Sequence, residues 1–493
     1  MAQPQLGRFG DRRLALVGDD LLAAMQKQRT MCLHALGESR AQARRFHGFL
    51  DNEAVSMHEM LVHAGRQTAK RAAGRHVLAI TDTSELNYAT HTGRKRGFGT
   101  VGNGQDIGVL LHPVIAVDAE QGGLIGLVGA EVINRPESLP QAKACPKRRL
   151  GAGGQGPLPA PVKAASLPQA KAENLKKRPA DEKESRRWLA GAETAGAVLG
   201  EAAMITMVED RDGDIYDQFA RRPDNVHLLV RAAQNRMLED NGKLFEQCAA
   251  WSAVTHHTIR VSAKHGNVQR AERTTVVALR HGEVTVKRPR YTDQGLPATL
   301  RLRVVDVREV DPPEDPDQRV HWCLLTTHAV DSAAEAMRIV GWYRLRWIIE
   351  QVFRTMKTDG VDVETSQITT PRSLLKLVTV ALLAAIRVMQ LVIGRDGSTG
   401  QELADVADPI EVPALRAIST SLEGRTEKLK NPFDPASLAW YAWIAARLGG
   451  WSGYTSKGYK PAGPKTMARG LKRLDAMVQG WMLANRSAFV GLP

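Results

Sequence analysis

The chain has 493 residues and a mass of 53.9 kDa, and 43% of it is hydrophobic, enough for two to four domains with a sizeable core. Lys and Arg number 67 against 53 Asp and Glu, so the net charge is +14 and the pI about 9.7, which suits a polyanionic partner without identifying one. This composition excludes a globally disordered or fibrous chain, and the widely spaced Cys32, Cys145, Cys248 and Cys323 make neither a zinc framework nor a disulfide scaffold, so a reducing compartment is expected.

The N-terminal sequence MAQPQLGRFGDRR has no apolar run behind a basic start, so no secretory signal is expected. Residues 1–75 read as short helices with a local net charge of +5, a surface that could lie on DNA or simply be solvated. From His76 the pattern changes. HVLAITD is a short apolar run ending in Asp82, and GVLLHPVIAVD (108–118) and LIGLVGAEVI (124–133) follow as further strands. Between them Gly97 to Gly102 fits GxGxxG, but no strand leads directly into it and no helix opens from it, so a dinucleotide site is not expected. A loop near a phosphodiester backbone is the alternative, helped by Arg94, Lys95 and Arg96.

Residues 136–180 are rich in Pro, Gly, Ala and Lys, repeat SLPQAKA at 138–144 and 166–172, and carry a net +7. They have few apolar groups with which to offset the entropy of ordering. A flexible basic insertion is expected, either an inert loop or an aid to nonspecific DNA affinity. Order should return after 181 with a helix, then the strand AAMITMVED ending in Asp210. The DRDGD stretch there fails as a calcium loop, because Gly213 is fourth rather than sixth. TTVVALR, GEVTVKR, LRLRVVDV and WCLLTT read as antiparallel strands within 232–336, and His256 and His257 as ordinary residues. Leu374 to Ile393 is the most apolar stretch; Lys376 and Arg387 would be costly in lipid, so a buried helix and no membrane partner are expected.

Tyr343, Arg346, Glu350 and Lys357 stand at offsets of 3, 7 and 14 from the tyrosine, and at about 100° per residue they share one helical stripe, joined by Arg354. The stripe is either a salt-bridged surface or a reactive face.

Three segments together carry a family resemblance: ITDTSELNY with Asp82, VEDRDGDIYD with Asp210, and YRLRWIIEQVFRTMK with a Tyr–Arg–Glu–Lys signature spaced Y-x2-R-x3-E-x6-K. The chain resembles the cut-and-paste DDE transposases of the fourth insertion-sequence family over nearly its whole length except 136–180. Gln351, where relatives often carry a second Glu, also departs from the pattern. The resemblance implies an α/β protein: a ribonuclease-H-like catalytic core with an inserted antiparallel β domain, plus helical N- and C-terminal domains. It implies a helical DNA end-recognition domain at 1–75, the first part of the core at 76–231, the inserted β-rich domain at 232–336, the second part of the core at 337–375, and a helical dimerisation region at 376–493.

It further implies that Asp82, Asp210 and Glu350 bind two Mg²⁺ ions, with Mn²⁺ as a substitute, about 4 Å apart. Tyr343, Arg346, Lys357 and Arg231 would hold phosphates around a flipped nucleotide, and Trp322 would stack on its base. Arg94, Lys95, Arg96 and Arg354 are possible further DNA contacts. The implied reaction is cleavage at transposon ends through a hairpin, then strand transfer to target DNA. The implied partners are inverted-end DNA, target DNA and, at synapsis, a second copy of the chain. The implied setting is a bacterial cytoplasm, associated with the nucleoid. A transposase-derived metal-dependent nuclease, or a DNA-binding protein that has lost strand transfer, is the alternative.

Overall fold

The computed structural model describes residues 5–91, 95–102, 106–135, 184–261, 271–357, 361–407, 409–453 and 460–485. Arg94, Cys145 and the basic insertion 136–180 lie outside the described residues. Four helices come first: α1 (Arg12–Gln28), α2 (Leu33–Leu36), α3 (Arg40–Asp51) and α4 (Met57–Ala72). Polar caps start three of them. Asp11 accepts from Arg13 N, Ser39 from Gln42 N and Ser56 from Glu59 N, each satisfying an orphan donor of the first turn.

Strands β1 (His76–Thr81), β2 (Ser84–Asn87), β3 (Thr100–Val101), β4 (Asp106–Asp118) and β5 (Leu124–Ile133) follow. Then come α5 (Arg186–Val198), β6 (Met204–Glu209), α6 (Tyr216–Arg221), β7 (Val226–Arg231) and α7 (Leu244–Ala250). The later strands are β8 (Thr255–Val261), β9 (Arg273–Lys287), β10 (Thr299–Glu309) and β11 (His321–Thr326). The chain closes with α8 (Ala333–Leu345), α9 (Trp347–Lys357), α10 (Pro371–Gly394), α11 (Val412–Leu422), α12 (Leu438–Leu448) and α13 (Pro464–Ala484). The result is a mixed α/β arrangement, helical at both ends.

Strand β5 lies on one side of β4, and β1 continued by β2 lies on the other, all antiparallel to β4. Strand β6 then pairs parallel to β1, and β7 parallel to β6. This gives five neighbours in the order β5-β4-β1-β6-β7. The strands of the 232–336 region do not build a separate sheet. Strand β11 pairs antiparallel with β7, and β10, β9 and β8 extend the sheet from there. TTVVALR and GEVTVKR, expected as two segments, run together as β9, because both pair in register with the long β10.

Alternation along the strands sorts two cores. Leu78 and Ile80 of β1, Val208 of β6, Leu229 of β7 and Leu324 of β11 join one cluster with the N-terminal helices, α8, α9 and α10. Val77, Ala79, Met207, Leu228 and Leu325 join the other, with α5 and α7.

Helix α10 runs through the first core, and the boundary expected between 375 and 376 falls inside it. It is long and apolar enough to cross a membrane, and 78% of its most apolar window is buried in protein. Lys376 is buried, and its ammonium donates to Leu50 O at 2.7 Å, in the last turn of α3, and to Asn52 O at 2.8 Å, just beyond it. Arg387 lies over the Tyr441 ring at 5.8 Å. The helical tail packs closely: a Cβ added at Gly470 of α13 would stand 1.6 Å from Ala445 O of α12. Gly470→Ala should therefore destabilise the protein by about 1–3 kcal/mol through overpacking. A lower urea midpoint at unchanged slope is the expected reading, and an unchanged midpoint would contradict the close approach.

Candidate active site

The parallel pair β1–β6 sets the first two acids. Ile80 pairs with Val208 and both face the core under α8 and α9. Two residues further along each strand, with side chains on the same face, come Asp82 and Asp210. They stand side by side where the strands end. Asp82 Oδ1 accepts from Thr83 N at 2.7 Å. Asp210 caps a short 3₁₀ turn and accepts from Asp212 N at 2.9 Å. The DRDGD stretch is thus a turn, not an ion loop, and its Asp214 is buried against Arg236, to whose Nε it is bonded at 2.9 Å.

The third acid arrives on the helices. The expected single helix is two: α8 ends and α9 starts around Arg346, where Arg346 N bonds Tyr343 O and Ile349 N bonds Arg346 O, a tightened i→i+3 pattern. Arg346 keeps a right-handed helical backbone, so the stripe survives the break. Ile349 and Val352 anchor α9 in the core and turn Glu350 toward the strand ends. Arg346 bridges two acids: Nη1 donates to Asp82 Oδ2 at 3.0 Å and Nη2 to Glu350 Oε1. The Arg346–Glu350 ion pair of the surface-helix reading is therefore present, but its arginine reaches across to β1 as well.

Burial pushes the Asp82 carboxyl up to about 6; Asp210 and Glu350 add to the rise, against Arg346 and the Thr83 amide. Burial also raises Asp210, against the Asp212 amide, Arg346 and Arg231. These are carboxylates held close enough to resist ionising together.

Tyr343 is buried, edge-on to Trp322 with ring centroids 5.6 Å apart, and 6.0 Å from the Arg346 guanidinium. Arg231, at the end of β7, donates to His321 O at 2.6 Å, and its interaction with the Tyr343 hydroxyl opposes the burial that lowers its proton affinity. Trp322 is half-buried. Lys357, at the far end of α9, donates to Glu85 O and lies 3.4 Å from Glu364. Arg354 and Arg96 are exposed.

Lys95 is placed differently from Arg96. Its ammonium turns inward, donating to Ser366 O at 2.7 Å and Ile368 O at 2.5 Å, with the Tyr88 ring 4.6 Å away. The neighbouring GxGxxG stretch is a packed turn: Asn134 bonds Gly97 O and Gly99 N, and a Cβ on Gly99 would stand 2.2 Å from Arg135 O.

Residues that sequence reasoning did not single out brace Asp82 from behind. Arg187 Nε donates to Thr83 Oγ1 at 2.9 Å, Thr83 Oγ1 bonds His112 Nδ1 at 2.9 Å, and His112 Nε2 bonds Thr81 Oγ1 at 3.0 Å. Arg187 stands at the start of α5, beside Glu184 and Arg186, and nothing in that run of charges distinguishes it from its neighbours. Glu209 has the opposite parity from Asp210 and is fully buried on Gln218 at 2.5 Å; burial holds its carboxyl well above the usual carboxylate range.

Two of the cysteines meet in the fold. Cys248 and Cys323 are far apart in sequence but converge with Asp306, all three buried and with their ligand atoms within 4.8 Å of one another, a cluster that could coordinate a divalent ion. It lies on the other face of the sheet, since Cys323 joins the second core and Leu324 the first. A cavity of about 740 Å³ among the C-terminal helices, lined by Phe433, Trp443, Trp451 and Met467 among others, shares no residue with either cluster.

Residues 212–386 match the family model described as the transposase DDE domain. The chain thus carries such a domain over about a third of its length. The match includes Arg231, Trp322, Tyr343, Arg346, Glu350, Arg354 and Lys357, and begins just after Asp210. It supports metal-dependent enzymatic activity and DNA binding in general terms.

Proposed function

We propose that the protein is a DNA transposase of the fourth insertion-sequence family, cleaving at transposon ends through a hairpin and joining them to target DNA. The observation that carries this reading is Arg346, bonded at once to Asp82 and Glu350 beside Asp210. A lone surface ion pair needs no second and third acid. Asp82, whose proton affinity is raised by burial and by the neighbouring Asp210 and Glu350, marks a site short of positive charge. Hard oxygen donors of this kind suit Mg²⁺, with Mn²⁺ as a substitute. The strand order β5-β4-β1-β6-β7, three antiparallel neighbours and then two parallel, supports a ribonuclease-H-like core.

In this reading Asp82, Asp210 and Glu350 hold two divalent ions, which supply an activated oxygen nucleophile and charge stabilisation at the phosphorus. Arg346 sets the orientation of Asp82 and Glu350. Arg231 and Tyr343 line the same face, where a guanidinium and a phenol can hold phosphate oxygens. Trp322 offers an aromatic platform beside Tyr343, offsetting the cost of an unstacked base. Lys357, at the end of the stripe, and Arg96 and Arg354, exposed beyond it, would follow the backbone. The helices of 1–75 would grip the transposon end, and the C-terminal helices would pair two subunits, each cutting the end held by the other, in the bacterial cytoplasm.

The test incubates the protein and Mg²⁺ with paired inverted ends and a target duplex. Nicks, hairpins and joined products are expected. Cutting without joining would return the nuclease alternative, and binding with neither reaction the DNA-binding alternative. For the trans arrangement, a Glu350→Gln subunit with native end specificity is mixed with an intact subunit of altered specificity. Cuts are expected on the end held by the Glu350→Gln subunit. Cuts confined to the other end would reject trans cleavage.

A further inference from the structure

The face of the sheet opposite the acids holds a second cluster, centred on β10 and β11. Asp306 pairs with Cys323, and Arg308 with His321, so these four residues form two adjacent rows. Helix α7 lays Cys248 against them, and Cys248 and Cys323 are 0% and 2% exposed. The two sulfurs and a carboxylate oxygen of Asp306 lie within 4.8 Å of one another. His321 Nε2 stands 2.9 Å from Asp306 Oδ1.

We propose that Cys248, Cys323 and Asp306 form a structural site for a thiophilic divalent ion of the zinc type, separate from the carboxylate site, with His321 bonded to Asp306 beside it. Two thiolates and a carboxylate are a donor set that zinc takes, and the fourth tetrahedral position would fall to water or to His321 after a shift of its ring. Zn–S bonds of about 2.3 Å put two tetrahedral thiolates about 3.8 Å apart, and nitrogen and oxygen ligands about 3.3 Å apart. The 4.8 Å limit on the sulfurs and the Asp306 oxygen admits these spacings. Thiolate ligands exclude Mg²⁺, which takes hard oxygens, so this cluster and the three acids select different ions.

Charge also closes. Two thiolates and one carboxylate around a divalent ion leave one negative charge. Arg308 Nε meets Asp306 Oδ2 at 2.7 Å, and Arg280 Nη1 stands 4.0 Å from the same oxygen, buried and without a hydrogen-bond partner. Binding releases one proton from each thiol to solvent, and nothing is oxidised. The ion would clamp α7 to β11. Strand β11 carries Trp322 on its other face, and Arg231 bonds the backbone oxygen of His321, so the clamp stiffens one wall of the acid face from behind.

The full-length protein, treated with chelator and reductant, is titrated with Co²⁺. Thiolate-to-cobalt charge-transfer absorption and intense tetrahedral bands are expected at one equivalent, reduced by about half in Cys248→Ser and absent in the Cys248→Ser/Cys323→Ser double variant. The bands should persist in Glu350→Gln, which separates this site from the carboxylate reading. In the unmutated protein, Zn²⁺ should protect two thiols from alkylation and raise Tm, a readout that needs no variant to fold. Weak six-coordinate cobalt spectra with no thiol protection would overturn the proposal. So would a reductant-sensitive mass two hydrogens light, which would mean that the pair forms a disulfide instead.

Discussion

Asp82→Asn should lower metal-dependent DNA cleavage by on the order of 10³-fold or more, since it removes a ligand from a site whose work is charge stabilisation. DNA binding should hold, because the proposed phosphate contacts sit on other residues. The same change should raise Tm in metal-free buffer. The Asp82 carboxyl is pushed up to about 6 by burial and by Asp210 and Glu350. Its folded pKa therefore lies above the unfolded value. The folded state binds the extra proton, so this group stabilises the fold at low pH, and that contribution is lost as pH rises from about 4 through 6. At neutral pH the charged carboxylate works against folding until an ion compensates it. Asparagine relieves the repulsion. Losing activity while gaining stability is the signature of a residue kept for chemistry. Asp82→Cys adds a second arm: Mn²⁺, which tolerates sulfur better than Mg²⁺, should restore part of its cleavage. Full activity of Asp82→Asn with Mg²⁺ would remove Asp82 from the site, and a lower metal-free Tm would mean that its bond to Arg346 matters more than the repulsion.

Acid should unfold the protein early. His76, His112 and His328 are held neutral mainly by burial, with proton affinities lowered to about 4, 3 and 3. His76 and His328 share the Thr206 hydroxyl, each at 2.8 Å, and His328 stacks on His227 with centroids 4.1 Å apart. Among the described residues the hydrogen bonds to these rings come from threonine hydroxyls, and Asp118 only partly offsets the burial of His76. His112 is held between Thr81 and Thr83, with Arg187 adding to the depression. The folded pKa lies below the unfolded value of 6.5 in each case. Stability is thus intact above about 6.5 and falls with pH as the unfolded chain takes up protons the folded one refuses. His112 and His328 should each cost about 2 kcal/mol by pH 5 and the more solvated His76 about 1 kcal/mol, together about 5 kcal/mol, against a usual total of 5–15 kcal/mol. Asp82 opposes this between pH 6 and 4 with a smaller contribution of opposite sign. Urea melts at pH 7 and pH 5 measure the difference. His328→Gln should flatten the pH dependence by about 2 kcal/mol; a slope equal to that of the unmutated protein would show that His328 is not buried neutral.

Much of the fold was legible because it is local. Apolar runs ending in a carboxylate marked β1 and β6 and put Asp82 and Asp210 at strand ends. Helical spacing put Tyr343, Arg346 and Glu350 on one stripe, and the structure keeps them together across the break at Arg346. The apolar run from Leu374 to Ile393 marked α10. Each of these depends on residues within a turn or two of one another.

Tertiary pairing decided the rest. That Asp82 stands beside Asp210 follows from the β1–β6 register, which joins residues about 130 apart. The merging of the 232–336 strands into one sheet follows from β11 pairing with β7. Lys95 reads as an exposed cation in a basic loop, yet it is drawn inward by carbonyls at Ser366 and Ile368 that no nearby residue foretells. Cys248, Asp306 and Cys323 show no ligand spacing in sequence, because a helix and two strands bring them together. Periodicity along a chain determines which face of an element a side chain occupies. Which side chains meet on that face depends on register and packing between distant segments, and those are fixed only when the sheet and its helices close around a common core.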